Sequence, residues 1–459
     1  FLLNVYYPRD FAKSINSVLN NSQILLGIPD ETFFTSLQNE ISFPSTYQPE
    51  SPAEEKRRGR KKLTKKDNAH KVTLPNDCPD WSRIPLPNIL EAPMLRAIKL
   101  LGIEKSSQAP TLGKDIQPSV CGYTLFNTSN NCLPCAKFSE NCQLLATGFD
   151  NSIITVWNMS NQENSGLKTM KHKLDPQAID FSSNIEQIEA NIYEDTKSFT
   201  KNLVGHSNTV CSLDFYYDNS LLVSSSYDEN IRLWSLNTWN TISVYKGHLS
   251  PVWDVSFAPF GHYFASCGSD RTSRLWSIEQ SKPLRLFCGH STDVARIQFH
   301  PNSNYILTGS DDCTIFLWDV LTGNYERCFI GHNSPISALS VSPDGKKCAS
   351  GDTSGLVIIW DMYSATPLGK INLGHQSRSK KSDEYISTIE FGKDSISVAI
   401  GTLKSKLVVG SIANLDFRNM NSNADLFETI GVYRTKNTPI TDLHFTYNNM
   451  LLSIGAYSL

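Results

Sequence analysis

The sequence has no uninterrupted apolar run near the roughly 20 residues that a membrane-spanning helix needs. Charge of neither sign dominates, since 42 lysines and arginines are set against 45 aspartates and glutamates. The motifs G-x-x-x-x-G-K-[ST], H-E-x-x-H and G-x-S-x-G, typical of nucleotide-binding proteins, zinc proteases and serine hydrolases, are absent. These absences predict a chain outside the membrane, with no catalytic residue, no metal site and no cofactor.

Cysteine is present but scattered. Cys211, Cys267 and Cys348 fall inside predicted strands, which indicates buried thiols in a reducing compartment. Cys132 and Cys135 form the one close pair, and without a second pair or spaced histidines a structural role is favoured over zinc or redox chemistry.

A period of 42 residues organises the second half of the chain. Gly-His pairs, tryptophans, Ser/Thr positions and aspartates recur in step, with one Gly-His interval of 43. The Gly-His pairs are Gly205-His206, Gly247-His248, Gly289-His290, Gly331-His332 and Gly374-His375. Within each period, short alternating apolar runs are separated by clusters of Pro, Asn, Asp and Gly, which predicts consecutive antiparallel strands.

The Gly-His pairs, the Trp-Asp endings and this period together resemble the WD40 family. The resemblance implies an all-β fold, a seven-bladed WD40 β-propeller over residues 112–459, preceded by an irregular, partly helical segment. In that family a His, a Ser or Thr, an Asp and a Trp of one blade form a buried hydrogen-bonded chain. The roles carry over to twelve structural residues: His206, Ser224, Asp228, Trp234, His248, Ser266, Asp270, Trp276, His290, Thr308, Asp312 and Trp318.

Three repeats depart from the pattern. Ser354 occupies the Asp position of the fifth blade, which predicts a shortened chain and a softer blade, and Asn151 occupies it in the first. Residues 161–198 are predicted to be a loop that leaves the rim of the propeller. The sixth repeat lacks its tryptophan. Residues 119–127 are predicted to complete the seventh blade, so that both ends of the propeller meet.

The first 111 residues divide at a change of composition. Residues 1–42 have the apolar spacing of short helices, and because the chain opens at Phe1 without a leader we expect them to end an upstream domain. Residues 43–111 form a linker with a Pro-rich lead-in. Its basic tract, which favours nuclear import but also fits a plain linker or a nucleic-acid contact, consists of Lys56, Arg57, Arg58, Arg60, Lys61, Lys62, Lys65 and Lys66.

The order of features along the chain resembles one family, the WD-repeat subunit 5 of the general transcription factor TFIID, whose relatives also occur in the coactivator complex SAGA. The segments concerned are RIPLP at 83–87, SVCGYTLFN at 119–127, GFDNSIITVWNM at 148–159, YKGHLSPVWDVSFAPFGHYFAS at 245–266, FHPNSNYILTGS at 299–310 and TKNTPITDLHFTYNNMLLSIGAYS at 435–458.

Membership implies a non-catalytic nuclear scaffold. Its partners would be other TATA-binding-protein-associated factors, above all histone-fold subunits, with the TATA-binding protein or an acetyltransferase module as indirect partners. TFIID is favoured over SAGA by the ending of the chain, and the degraded repeats suggest a diverged copy.

Four residues in turns or at strand starts are candidates for a protein interface: Trp253, Tyr227, Arg271 and Arg296. Aromatic residues and arginines are enriched in interface hot spots. The alternative for Trp253 is that it fills the gap between blades. No sequence-specific reading of DNA is expected, because lysine and arginine cluster only at 56–66.

A second functional hypothesis is a WD40 peptide reader or ubiquitin-ligase adaptor that uses the mouth of the central channel. It requires a uniform ring of charge at corresponding turns. Asp254, Asp293, Arg296 and Ser337 form no such ring, which disfavours the hypothesis.

Overall fold

A computed structural model describes residues 112, 117–126, 132–159, 167–170, 193–195, 198–373, 384–412, 428–435 and 438–457. All regular structure in these ranges is β-strand, which confirms the predicted all-β class. Within the same ranges there is no helix of the length and apolarity that crossing a membrane requires. The predicted helical segment 1–42 and the basic tract lie outside the described residues.

The strands form seven blades, six of them antiparallel sheets of four strands. Blade VII combines β1 Val120–Phe126 with β28 Ile440–Phe445 and β29 Leu451–Tyr457. Blade I contains β2 Cys135–Phe138, β3 Leu144–Gly148, β4 Ile154–Asn158 and β7 Thr200–Leu203. Blade II contains β8 Val210–Phe215, β9 Leu221–Ser226, β10 Asn230–Ser235 and β11 Thr241–Lys246.

The remaining four blades follow in chain order. Blade III contains β12 Val252–Phe257, β13 Tyr263–Gly268, β14 Thr272–Ser277 and β15 Arg285–Cys288. Blade IV contains β16 Val294–Phe299, β17 Tyr305–Ser310, β18 Thr314–Asp319 and β19 Tyr325–Ile330. Blade V contains β20 Ile336–Val341, β21 Lys347–Asp352, β22 Leu356–Asp361 and β23 Pro367–Asn372. Blade VI contains β24 Ile386–Phe391, β25 Ser397–Thr402, β26 Lys406–Ser411 and β27 Glu428–Arg434.

The ring closes where β1 joins β29, as the sequence predicts. The two strands are parallel and in register from Val120 opposite Leu451 to Phe126 opposite Tyr457. A parallel pairing needs a long connection, and here the whole of blades I to VI provides it. Blade VII has three strands among the described residues, whereas the other six have four.

Packing between blades explains the burial of the strands. Each sheet is covered on both faces by its neighbours, so β13, β17 and β25 are buried at every residue. The four repeat tryptophans of the third strands are at most 1 % exposed. Trp276 of blade III packs edge-on against Tyr245 of blade II, with ring centroids 5.7 Å apart.

A β-bulge recurs in the first, innermost strand of blades II to VII. There the register with the second strand shifts by one residue. The unpaired residues are Cys211, Trp253, Ala295, Ser337, Ser387 and Thr441. A bulge turns a side chain out of the regular alternation of the strand. These six residues therefore all lie at the same end of the propeller.

Blade VI forms a complete sheet although its repeat is degraded. Gly410 pairs with Val398 at the position where Trp360 pairs with Cys348 in blade V. β26 is nevertheless buried along its whole length. Apolar burial by the neighbouring blades therefore stabilises this sheet without the tryptophan.

The predicted rim loop lies between β4 and β7 of blade I. The structure differs from a plain loop, because β5 Lys168–Met170 and β6 Tyr193–Asp195 pair as a separate two-stranded sheet. Leu167, next to β5, is buried. The other residues of the insertion, 160–166, 171–192 and 196–197, lie outside the described ranges.

Ile454 of β29 tests the closure. It is 1 % exposed and packs with Phe138 and Leu145 of blade I. We expect Ile454→Ala to lower the free energy of unfolding by about 2–5 kcal/mol, because it leaves a cavity between the two ends of the propeller. Val432→Ala, at a 49 % exposed position in β27, should change it by less than about 0.5 kcal/mol. Urea unfolding followed by circular dichroism measures both, and equal losses would contradict the described closure.

Candidate functional site

The buried side chain of His206 links three segments of blade II. Its Nδ1 lies 2.9 Å from Asp228 Oδ2 and its Nε2 lies 2.7 Å from Ser224 Oγ. The indole of Trp234 donates to the same Ser224 oxygen at 2.9 Å. With the His206 Nδ1 proton donated to the carboxylate, Nε2 accepts the Ser224 hydroxyl proton, so every polar atom of the chain has a partner.

Blades III and IV repeat this geometry, and the structure joins all twelve predicted residues into three chains. In blade III the distances are 2.9 Å for His248–Asp270, 2.7 Å for His248–Ser266 and 2.8 Å for Trp276–Ser266. In blade IV they are 2.9 Å for His290–Asp312, 2.8 Å for His290–Thr308 and 2.8 Å for Trp318–Thr308.

Blade V corrects the sequence analysis. Its chain is complete, because Asp352 and not residue 354 supplies the carboxylate, 3.1 Å from His332 Nδ1. Oδ1 of Asp352 also accepts the backbone N–H of Leu356 at 2.9 Å, as Asp312 accepts that of Thr314 in blade IV. The carboxylate thus reaches equivalent partners from a position two residues earlier. The prediction of a shortened chain was wrong, since Ser354 donates to Asp352 as an additional partner.

Ionisation of the carboxylates is coupled to the histidines. Burial opposes ionisation of Asp312, but the hydrogen bond and charge of His290 outweigh burial and lower the pKa of Asp312 to about 2. The same balance lowers the pKa values of Asp228, Asp270 and Asp352. Each turn therefore contains a carboxylate that remains ionised at neutral pH.

Blade I retains half of the pattern. The indole of Trp157 donates to Thr147 Oγ1 at 3.1 Å. At the Asp position, the side-chain oxygen of Asn151 accepts the backbone N–H of Ile153 at 3.1 Å. Asn151 therefore stabilises the turn in which it lies. Gly374-His375 lies outside the described residues.

The turns between second and third strands define one face of the propeller, called here the top face. Tyr227 lies in this turn of blade II and is 48 % exposed. Its ring meets that of Trp253, the bulge residue of β12, at a centroid distance of 5.8 Å. Arg271 is exposed in the same turn of blade III, with a left-handed φ of 64°. Three of the four predicted interface residues therefore lie on the top face of two adjacent blades.

Arg296 has a different position. Its Nε donates to the carbonyl of Ser337 in blade V at 2.7 Å. It lines the central cavity, which has a volume of about 380 Å³. Arg296 therefore joins blades IV and V inside the channel wall.

Sequence reasoning named Asp254 at the mouth of this channel but missed its role and the carboxylates of Asp214, Glu390 and Asp442. Asp214 accepts the backbone N–H of Phe257 at 2.7 Å, and Asp254 accepts that of Ile297 at 3.0 Å. Glu390 and Asp442 do the same between blades VI and VII and between VII and I, each at 3.3 Å. Acidic residues within otherwise alternating inner strands were the available indication. Burial raises the pKa of Asp214 to about 6.

Cys132 is exposed and Cys135 is buried, with its thiol directed to the carbonyl of Val210 at 3.4 Å. Burial raises the pKa of Cys135 well above its ordinary value, which disfavours the thiolate that metal binding or redox chemistry needs. Among the described residues no group of His, Cys, Asp and Glu side chains could hold a metal ion.

The family described as WD domain, G-beta repeat, matches residues 197–235, 239–277, 281–319 and 323–361. Among curated proteins the chain is similar to transcription initiation factor TFIID subunit 5 of Encephalitozoon cuniculi, 36 % identical over 148 residues, or 32 % of this chain. The same subunit of Drosophila melanogaster is 34 % identical over 37 % of this chain. Subunit Taf5 of the SAGA complex and transcription factor TFIID complex of Schizosaccharomyces pombe is 35 % identical over 38 % of it.

These matches support the predicted resemblance to the WD-repeat subunit 5 of TFIID. The matches cover 25 %, 23 % and 24 % of the three relatives, so the chain matches about a quarter of their length. The resemblance predicted from RIPLP, SVCGYTLFN and the ending of the chain is confirmed.

Asp352 carries a direct test of the blade V geometry. We expect Asp352→Asn to lower the free energy of unfolding by about 1.5–3 kcal/mol, because it removes a charge-assisted hydrogen bond to a buried imidazole. Ser354→Ala should cost less than about 1 kcal/mol. Urea unfolding at neutral pH compares the variants. A larger loss in Ser354→Ala than in Asp352→Asn would restore the original assignment of the position.

Acid should weaken blade IV through Asp312. Its folded pKa of about 2 lies below the ordinary 3.8, so its contribution to stability is fully present above about pH 4 and is lost as pH falls through about 2. Unfolding free energies measured from pH 5 down to pH 2 should therefore fall less steeply in Asp312→Asn than in the wild-type protein. Identical slopes would show that His290 and Asp312 are not coupled.

Proposed function

We propose that this protein is a non-catalytic, nuclear scaffold subunit of a TFIID-like transcription-initiation complex that holds histone-fold subunits. The observation that carries the proposal is the similarity of its repeats to TFIID subunit 5 in two organisms. The top face supports a binding role, because its turns are fixed by buried hydrogen bonds and those of blades II and III present the exposed side chains of Tyr227 and Arg271. Contacts with the TATA-binding protein would be indirect, through the other subunits.

The second candidate is a scaffold of a SAGA-type histone acetyltransferase complex. It is favoured by the Schizosaccharomyces pombe relative, whose name includes both complexes. Both candidates use the propeller as an assembly platform, and they differ in which module accompanies it. The peptide reader that uses the channel is less favoured, because Arg296, Asp214 and Asp254 are engaged in bonds between blades.

The use of the polar residues within the fold supports a role without catalysis. Four of the ten histidines are bound in the chains of blades II to V, and His300 is held between Asn302 and the carbonyl of Gly345. Hydrogen bonding within the fold leaves these imidazoles no free nitrogen for proton transfer to a substrate. The basic tract at 56–66 is proposed as the nuclear-import segment.

Purification of the tagged chain from nuclear extract, with mass spectrometry of accompanying proteins, tests the proposal. We expect histone-fold subunits together with the TATA-binding protein if the complex is TFIID-like, and histone-fold subunits with an acetyltransferase if it is SAGA-like. The tag expressed alone from an empty vector is the control that defines the background. Recovery of cullin-ligase components without either set would contradict both scaffold proposals.

A further inference from the structure

Three large apolar side chains lie together where blades II and III meet on the top face. Tyr227 and Trp253 are in ring contact, 5.8 Å between centroids. Leu249, in the loop that leads into β12, is 80 % exposed, and Tyr227 is 48 % exposed. This group, Tyr227, Leu249 and Trp253, is named the apolar patch.

The other repeats show that the fold does not require these residues. Blades III, IV and V have small or polar side chains at the positions equivalent to Tyr227, namely Ser269, Asp311 and Thr353. Blades II, IV and V have Cys211, Ala295 and Ser337 in place of Trp253, and Ser207, Ser291 and Asn333 in place of Leu249. Each of these blades forms its complete four-stranded sheet. The apolar patch therefore departs from the repeat without a benefit to the strand pairing.

The backbone explains why Trp253 is directed to the surface. It is the bulge residue of β12, left out of the register between Val252 and Asp254. A bulge turns one side chain out of the alternation and frequently occurs beside binding sites. The tryptophan is half-buried, so its ring is supported by the blade and one part of it is open to a partner. Such a supported aromatic side chain loses little conformational freedom on binding.

Two carboxylates without basic partners lie on the same face in blade IV, next to the blade that carries Trp253. The hydroxyl of Ser269 donates to Asp293 at 2.6 Å, and the backbone N–H of Asp311 donates to the carbonyl of Asp293 at 3.0 Å. Asp311 is exposed. Partial desolvation of its carboxylate and the nearby Asp293 and Asp312 raise the pKa of Asp311. Among the residues that the structure describes, neither Asp293 nor Asp311 forms an ion pair.

We propose that the apolar patch and the carboxylates of Asp293 and Asp311 bind an extended polypeptide segment of a partner subunit, in which a large apolar side chain lies close to a lysine or arginine. The apolar side chain packs against Tyr227, Leu249 and Trp253. The cation replaces the missing counter-charge at Asp293 and Asp311, because a pair of like charges favours a positively charged partner. The inference deepens the scaffold function and rests on it for the existence of a partner subunit.

The residues at equivalent positions of other repeats provide the substitutions that test the proposal. Tyr227→Thr, Leu249→Asn and Trp253→Ser together install the residues that blade V has at these positions, so the fold is expected to tolerate them. Asp293→Asn with Asp311→Asn removes the two charges and keeps the size of the side chains. The matched control is Tyr363→Ser, at a 53 % exposed tyrosine in the turn between β22 and β23, which lies on the opposite face. Thermal unfolding confirms that each variant is folded before binding is measured.

The first measurement uses a displayed library of random peptides, about twelve residues long, selected on the full chain. Enriched peptides are synthesised with a fluorescent label, and their binding is followed by polarisation. We expect them to combine a large apolar residue with lysine or arginine. The triple variant should weaken binding about tenfold or more, which is the loss of a hot-spot contact, and Tyr363→Ser should leave it unchanged.

The charge variant separates the two parts of the site. Binding to the wild-type protein should weaken as salt rises, because the contact with Asp293 and Asp311 is partly screened. In the Asp293→Asn, Asp311→Asn variant that salt dependence should diminish. The proposal is overturned if no peptide is enriched or if the enriched peptides lack the basic residue. It is also overturned if the folded triple variant binds them as tightly as the wild-type protein.

Purification from nuclear extract keeps this proposal distinct from the proposed function. If the wild-type chain recovers histone-fold subunits and the triple variant recovers them equally, the scaffold function is supported and the patch is rejected as their docking surface. If the triple variant loses them while Tyr363→Ser retains them, both are supported. If even the wild-type chain recovers none, the scaffold function fails, and the peptide selection alone then supports or overturns the patch.

Discussion

A buried imidazole held between a carboxylate and a hydroxyl connects the parts of each central blade. The histidine comes from the loop that enters the blade, the hydroxyl from the second strand, the carboxylate from the following turn and the indole from the third strand. These groups are sealed from water by the neighbouring blades, so each needs a partner inside the protein. Loss of one leaves the others unsatisfied, and this requirement fixes where the loop meets the turn in blades II to V.

Because the blades repeat the same architecture, residues that differ from the repeat can be recognised. A repeat that folds equally well with serine, alanine or threonine at a surface position shows which side chains the fold needs there. The fold does not need the large side chains of Tyr227, Leu249 and Trp253. The fold alone proves no function. For a proposed assembly platform, the deviations within one blade pair are therefore more informative about binding than the regular residues that carry the architecture.

Much of the fold was predictable because the sequence repeats. The 42-residue period predicted the strands, the resemblance to the WD40 family implied the three hydrogen-bonded chains, and residues 119–127 were identified as the closing strand. Asp352 was missed because packing selects the place of a carboxylate oxygen, and a residue two positions earlier can reach that place. The bonds made by Asp214, Asp254, Glu390 and Asp442 were missed because their partners are backbone N–H groups of the next blade, which no pattern within a repeat reveals.

The parallel pairing of β1 with β29 also sets an order of events during synthesis. The two strands are separated by about 330 residues. A ribosome that adds about 5–20 residues per second would need roughly 15–70 s to make that stretch. For this period β1 has no β29 to pair with, and its alternating Cys121, Tyr123 and Leu125 remain without their final cover. The growing chain thus passes through an open arc with two unpaired edges, in which a chaperone that shields those edges would have its longest opportunity to act.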